Sequence, residues 1–275
     1  MVSVIVPTRN SARTLEACLS SIRAQNGTKP ELIVVDNEST DGTGDIAARL
    51  ADVVVRWGPE RSAQRNHGAA IAKGEFLLFV DSDMILEPNV VSDCVAVIDQ
   101  TAASAVIVPE VSIGQGFWAA CRALERSCYA GDDTIEAARF FPREVFNEVG
   151  GFDESLTGPE DWDLTIRVAA ERSLPRAAST IIHDEGDLRL GTALAKKGYY
   201  AVSMVRYWRR HGGRAVLQGN LALRPAFARN WRRLLRRPLL AAGVLSLKCL
   251  EAMVIGWAIG RELIRGRAVG VAGKP

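Results

Sequence analysis

The first part of the chain alternates two hydrophobic textures. Short unbroken apolar runs come at Val2-Ser3-Val4-Ile5-Val6, Leu32-Ile33-Val34-Val35, Val53-Val54-Val55 and Phe76-Leu77-Leu78-Phe79-Val80. Such runs have the form of strands buried on both faces of a parallel sheet. Between the first two, Leu15, Cys18, Leu19 and Ile22 recur at helical spacing, with Asn10 or Ser11 placed to cap the helix. A short helix is expected over Asp45–Leu50, and an alanine-rich one over Arg61–Lys73 closed by Gly74. Pro7 is expected to halt the first strand. Strands and helices taking turns at this interval predict βαβ units: an α/β, Rossmann-like, mainly parallel sheet flanked by helices.

Beyond Val108-Pro109 the pattern loosens. Helices are expected over Gln115–Tyr129, from Pro142 to Val149 with Gly150-Gly151 as its stop, and over Glu160–Glu171. Strands are expected at Ala138–Phe141 and at Ser179–Ile182, the latter ending on His183. From Leu239 to Gly260 runs a mostly apolar helical stretch.

Charge divides the chain where hydropathy alone does not. The formal net charge of the 275 residues is +2. Residues 1–187 nevertheless carry 16 Lys/Arg against 30 Asp/Glu, a net of −14. Leu188 to Leu250 carry 14 Lys/Arg and no acid. The chain is expected to divide into a domain over 1–187, with a first half 1–104 and a second half 105–187, and a basic helical region over 188–275. Cys18, Cys94, Cys121, Cys128 and Cys249 form no CxxC pair and fit reduced thiols of a cytosolic protein. The start on a strand-like run predicts no secretory signal.

The fourth apolar run leads straight into Asp81-Ser82-Asp83. In extended backbone, residues two apart point to the same side. The two carboxylates are then placed to share a hard cation such as Mg²⁺ or Mn²⁺; the other reading is a turn or helix cap, where Asp is also favoured. Neither Gly-x-Gly-x-x-Gly nor a Walker A sequence follows a strand. Ligands of open α/β sheets bind at the carboxyl edge, so Pro7, Thr8, Asp36 and Asp81 become the candidates for holding a nucleotide.

Four segments, in order, resemble the family 2 glycosyltransferases of GT-A fold: Val4-Ile5-Val6-Pro7-Thr8-Arg9-Asn10; Val34-Val35-Asp36 through Thr43; Arg65-Asn66 with Gly74-Glu75-Phe76 and Asp81-Ser82-Asp83; and Gly150-Gly151-Phe152-Asp153-Glu154 with Glu160-Asp161-Trp162-Asp163-Leu164. The resemblance covers roughly residues 2–185. It implies an inverting transferase using a nucleotide-sugar donor and a divalent cation, Mg²⁺ or Mn²⁺. It implies that Pro7 and Thr8 line the base pocket with Arg9 and Asn10 beside them, that Asp36 accepts from the base, and that Arg65 lies near the diphosphate. Asp81 would face ribose and metal with Ser82 next to it, Asp83 and His183 would ligate the metal, Asp161 would be the catalytic base and Glu160 would position it. Trp162, like Trp118, is suited to stack on a sugar or to pack the core. Asp163 fits a first-turn acid favoured by the helix dipole.

The basic region mixes cations with aromatics, as nucleic-acid-binding proteins also do. Its cluster Trp231-Arg232-Arg233-Leu234-Leu235-Arg236-Arg237, however, directly precedes the apolar stretch. That arrangement is selected by membrane interfaces. Lys248 and Glu251 at mid-stretch argue against a span, and Arg261, Arg265, Arg267 and Lys274 make the far flank basic too. The expectation is a helix in the cytoplasmic leaflet of the cell membrane, no nucleic-acid partner, and a lipid-linked or cell-envelope glycan acceptor. The Gln-x-x-Arg-Trp motif of processive synthases is missing, which favours single addition. Two other classes fit less well: a phosphohydrolase using Asp-x-Asp is disfavoured by the three preceding strands, and a non-catalytic nucleotide-sugar-binding protein is disfavoured because every acidic site position is filled.

Overall fold

The computed structural model describes residues 1–170, 173–219 and 225–271, without the side chains of 214, 216, 217, 219 and 262–271. The N-terminal alternation is β1 (Val2–Thr8), α1 (Leu15–Arg23), β2 (Glu31–Asp36), α2 (Thr43–Leu50), β3 (Val53–Arg56), α3 (Arg61–Ile71) and β4 (Phe76–Phe79). There follow β5 (Met84–Leu86), α4 (Val90–Thr101), β6 (Val106–Ile107), β7 (Glu110–Gln115), α5 (Gly116–Ser127), β8 (Ala138–Pro142), α6 (Arg143–Glu148), α7 (Glu160–Ala169) and β9 (Ile181–Asp187). The chain ends in α8 (Leu190–Gly219), α9 (Pro225–Arg229), α10 (Trp231–Leu235) and α11 (Pro238–Val271).

Six strands form one sheet in the order β3-β2-β1-β4-β8-β6. β3, β2, β1 and β4 are parallel, whereas β8 runs antiparallel to both β4 and β6. A second sheet has the order β5-β9-β7. The period-two alternation of the strands sorts their side chains: Val2, Val4, Val6, Leu32 and Val34 enter one core, Ile5, Ile33 and Val35 the other. Each such side chain, fully buried, contributes on the order of 1.5–3 kcal/mol.

Compact units comprise Met1–Ile113 with Tyr129–Glu185, and Gly114–Cys128 with the chain from Gly186 onward. α5 therefore groups with the C-terminal helices. In that second unit Cys121, Leu124 and Val244 are the buried centre, with Trp118, Phe227, Leu234 and Leu240 packed on them.

Several boundaries differ from expectation, each for a local reason. Pro7 does not halt β1; the strand runs on to Thr8, in register with β2 as far as Thr8–Asp36. Ile5 O accepts from Val80 N, so alternate residues of β1 face β4, and Pro7 would present its missing N–H on the side where β4 has already ended. Neither Asn10 nor Ser11 caps α1. Asn10 takes a positive φ of 50°, and Ser11 is tied to Thr43 and Ser82. Gly74 does not cap α3. A Cβ there would lie 2.5 Å from Ser3 N and 2.9 Å from Met1 O, so glycine permits the loop to press against β1. Ser179 and Thr180 fall outside β9 because their amides donate to the carboxylates of Asp93 (2.9 Å) and Glu87 (2.7 Å). His183 consequently sits inside β9, opposite Met84 of β5. α7 ends with Ala170 at φ 43°; the expected end at Glu171 lies outside the described residues, as do the side chains of Arg265 and Arg267 and all of Lys274.

Candidate active site

The carboxyl ends of β1 and β2 bring Thr8 and Asp36 side by side. Thr8 Oγ1 and Ser39 Oγ donate to Asp36 Oδ1 at 2.9 and 2.5 Å, and Ser39 N donates to Oδ2 at 3.0 Å. Asp36 is buried, and these donors hold its carboxylate in one orientation. Gln64 of α3 donates to the carbonyls of Thr8 (3.0 Å) and Val35 (2.6 Å), tying α3 to the carboxyl ends of β1 and β2. Pro7 is buried beside them. Asn10 Oδ1 accepts from Thr40 N at 2.9 Å, while Asn10 and Arg9 are exposed.

β4 ends at Phe79, and Asp81–Met84 is a turn closed by Met84 N donating to Asp81 O at 3.0 Å. The extended backbone expected through Asp81 and Asp83 is thus replaced by a turn, and the two carboxylates meet different partners. Asp81 accepts from Arg65 Nη2 at 2.5 Å and lies 3.6 Å from Arg139 Nη2. Burial alone would raise its carboxyl, but Arg65 and then Arg139 hold it well below the usual range. Ser82 donates to Ser11 Oγ at 2.8 Å.

Arg65 is fully enclosed. Its second nitrogen donates to Asp161 Oδ1 at 2.8 Å and lies 3.6 Å from Glu160; its Cζ stands 5.1 Å over the Phe152 ring. The residue expected near a diphosphate is therefore an interior fork, joining the end of β4 to the first turn of α7. Its neighbour Asn66 exchanges hydrogen bonds of 2.9 Å with Phe152 N and O, which seats the Gly150-Gly151-Phe152 segment on α3. Glu160 pairs with Arg61 at 2.9 Å and accepts from Gly158 N; burial pushes its carboxyl above the ordinary value. Asp163 is buried and bound to Arg167 at 2.8 Å. Trp162 donates to Ile135 O at 2.7 Å, so its ring is pinned.

Asp83 meets His183: Oδ2 is 3.3 Å from Nε2. Asp83 Oδ1 is buried without a hydrogen-bond partner. Among the described residues no three His, Cys, Asp or Glu side chains gather as a complete metal shell. A carboxylate with an unsatisfied oxygen beside an imidazole suits a hard divalent cation that takes its remaining ligands from phosphates and water. Glu110 and Arg139, which no sequence pattern marked, complete the cluster: Arg139 Nε donates to Glu110 at 2.6 Å, and Glu110 Oε2 is 3.6 Å from His183 Nδ1.

A parallel α/β sheet continued by an antiparallel strand, with these carboxylates gathered past the carboxyl end of its fourth strand, defines a nucleotide-sugar glycosyltransferase of GT-A type. Residues 3–152 match the profile of Glycosyl transferase family 2, and the chain belongs to that family. It is 27% identical over 242 residues to the PGL/p-HBAD biosynthesis glycosyltransferase of Mycobacterium tuberculosis, across 79% of this chain and 94% of that one. Glycosyltransferase GlyG of Streptococcus pneumoniae is 34% identical over 114 residues, covering 39% of this chain and 38% of that one. Among solved structures, the mannosyltransferase PcManGT of Pyrobaculum calidifontis, in complex with GDP-Man and Mn²⁺, superposes with a TM-score of 0.56 at 19% identity over 98% of this chain and 80% of that one. S. aureus TarS with UDP-GlcNAc gives 0.51 at 21% identity over 74% of this chain and 66% of that one; the chain spans 39% of a longer TarS structure. These likenesses establish the fold.

Proposed function

We propose that this glycosyltransferase is metal-dependent and inverting, and moves a sugar from a nucleotide diphosphate to a lipid-linked acceptor at a membrane surface. One observation carries the reading. The enclosed Arg65 fork fixes Asp161, at the head of α7, beside the strand end that presents Asp81 and Asp83. Asp36 and Thr8 would take the base, with Pro7, Arg9, Asn10 and Ser82 lining the donor's path and Trp162 backing the acceptor side.

Asp83 and His183 would hold Mg²⁺ or Mn²⁺ together with the donor phosphates; Asp81 is already held by arginines and would orient the donor. When bound, the cation supplies the charge that stabilises the departing diphosphate. An acceptor hydroxyl then forms its bond to the anomeric carbon as the carbon–phosphate-oxygen bond breaks on the opposite face. Its proton passes to the Asp161 oxygen that Arg65 does not hold, a general-base contribution of about 10²–10⁴-fold. Glu160, neutralised by Arg61, would keep the first turn of α7 in place.

The membrane reading rests on α11. Pro238–Arg261 is long and apolar enough to cross a bilayer by length and composition, but its one acid–base pair faces inward. Lys248 and Glu251 are buried, pair with each other, and reach Glu125 (2.5 Å) and Arg122 (2.6 Å) of α5. The outward face, Leu239, Ala242, Leu245, Cys249, Met253 and Trp257, is exposed and apolar at helical spacing. Basic residues precede it from Arg232 to Arg237, and Arg261 follows it. A helix lying in the interface plane of the cytoplasmic leaflet fits that distribution. The name of the mycobacterial relative, which places it in PGL/p-HBAD biosynthesis, is in keeping with an envelope acceptor.

The test incubates the full chain with UDP-, GDP- and dTDP-sugars, Mn²⁺ or Mg²⁺, and membrane lipid extract. Metal-dependent nucleotide release from one donor should disappear in Asp83→Ala. A lipid-extractable sugar product should fall at least about 100-fold in Asp161→Asn. Transfer undiminished by Asp161→Asn would remove that residue as the base, and turnover in chelator equal to that in metal would remove the cation.

A further inference from the structure

Around the three-stranded sheet, chemistry-bearing residues from three successive segments come within reach of one another. Asp83 immediately precedes β5, His183 stands on the central β9 opposite Met84, and Glu110 opens β7 on the other side. Ile181 N donates to Pro109 O at 2.8 Å, which sets the start of β7 against β9. The imidazole therefore lies between two carboxylates: Nε2 is 3.3 Å from Asp83, and Nδ1 is 3.6 Å from Glu110 Oε2. The other Glu110 oxygen accepts from Arg139 Nε at 2.6 Å, and Arg139 is 9% exposed, so Glu110 is anchored from behind.

We infer that Glu110 is a positioning residue for the cation site, fixing through His183 Nδ1 the ring orientation and tautomer that present Nε2 to a divalent metal held by Asp83. The inference rests on the metal-dependent reading above. A neutral imidazole offers one lone pair, and the nitrogen that offers it is decided by what the other nitrogen donates to. A carboxylate facing Nδ1 keeps the proton there and makes Nε2 more basic toward metal. At 3.6 Å the Nδ1 contact is longer than a hydrogen bond; contacts of this kind tighten as a ligated site assembles. The alternative role for Glu110 is only to neutralise the buried Arg139. That role affects folding, whereas the orienting role affects metal affinity.

The measurement is Mn²⁺ affinity of the full chain by electron paramagnetic resonance of free Mn²⁺, with UDP and with GDP in separate arms, alongside thermal unfolding. Glu110→Gln should weaken Mn²⁺ binding by about 10–100-fold, as loss of an outer-shell partner does. In a His183→Ala background the same change should add almost nothing, because the ring it orients is gone. If Asp83→Ala and His183→Ala weaken Mn²⁺ and Glu110→Gln does not, or if its effect persists undiminished without His183, the inference fails while the metal reading stands. If none of the three weakens Mn²⁺, the metal reading itself fails. Should Glu110→Gln not fold, Glu110→Asp keeps the charge against Arg139 and withdraws the carboxylate from the ring, with the same outcomes expected.

Discussion

Arg65 has no exposed surface, yet its guanidinium meets carboxylates from two distant segments. A buried ion pair adds little over a well-packed apolar replacement, but removing one member leaves the others uncompensated. Arg65→Met should therefore cost about 3–5 kcal/mol of stability, read by urea unfolding. Arg65→Lys keeps the charge and loses the fork, so its ammonium cannot hold Asp81 and Asp161 in the same planar geometry. A loss below about 1 kcal/mol in Arg65→Met would mean that the carboxylates relax to water without it. At this scale, residue type in the sequence marked Asp36, Asp81, Asp83 and Asp161. It did not disclose what each touches. Asp81 read as a metal-facing carboxylate because Asp-x-Asp was set on extended backbone, and the turn from Asp81 to Met84 gave its oxygens to Arg65 and Arg139 instead.

Elements whose identity rests on local periodicity were legible: the buried faces of α1, β1, β2 and β4 follow directly from their apolar spacing, whereas β3 lies at the sheet edge and leaves Val54 39% exposed despite its unbroken apolar run. β5, β6 and β7 were not marked, because runs of two to six residues carry too little pattern; the longer α4 was not marked either, and β8 gave no sign of its direction. The C-terminal helices show the same limit in their charges. Lys197 of α8 is taken from 10.5 down to about 8, chiefly by burial, then opposed by Glu251 and reinforced by Lys248 and Arg122. Between those two values the unfolded chain binds the proton and the folded chain does not, so stability rises as pH climbs from about 8 to 10.5. As pH falls back through about 8 that contribution is lost. Lys197→Met should flatten this part of the profile of thermal midpoint against pH. Parallel profiles for the two proteins would place the rise elsewhere.

At the scale of the whole molecule, on the proposed reading, the acidic N-terminal part would hold the nucleotide-sugar site and the basic C-terminal helices would meet lipid. The full chain should co-float with vesicles containing anionic lipid and less with neutral ones, each cation near the surface contributing about 1 kcal/mol. Binding should weaken in 1 M salt, where the Debye length is about 3 Å. Leu245→Asp with Met253→Asp, both on exposed positions, should abolish flotation and leave the unfolding midpoint nearly unchanged. Recovery of the native chain in the unbound fraction with every vesicle would sink the assignment.

The alternation of strands and helices, the four motif segments and the split in charge are legible along the chain, because each is written in residues close to one another in sequence. Which groups meet is settled by folding. Arg65 and Asp161 are separated by 96 positions, His183 and Asp83 by 100, Arg122 and Glu251 by 129. Strand register and helix packing choose such pairs. No local pattern encodes that Asp81 faces arginines, that Glu110 faces His183, or that the charges of α11 turn inward and leave an apolar face outside.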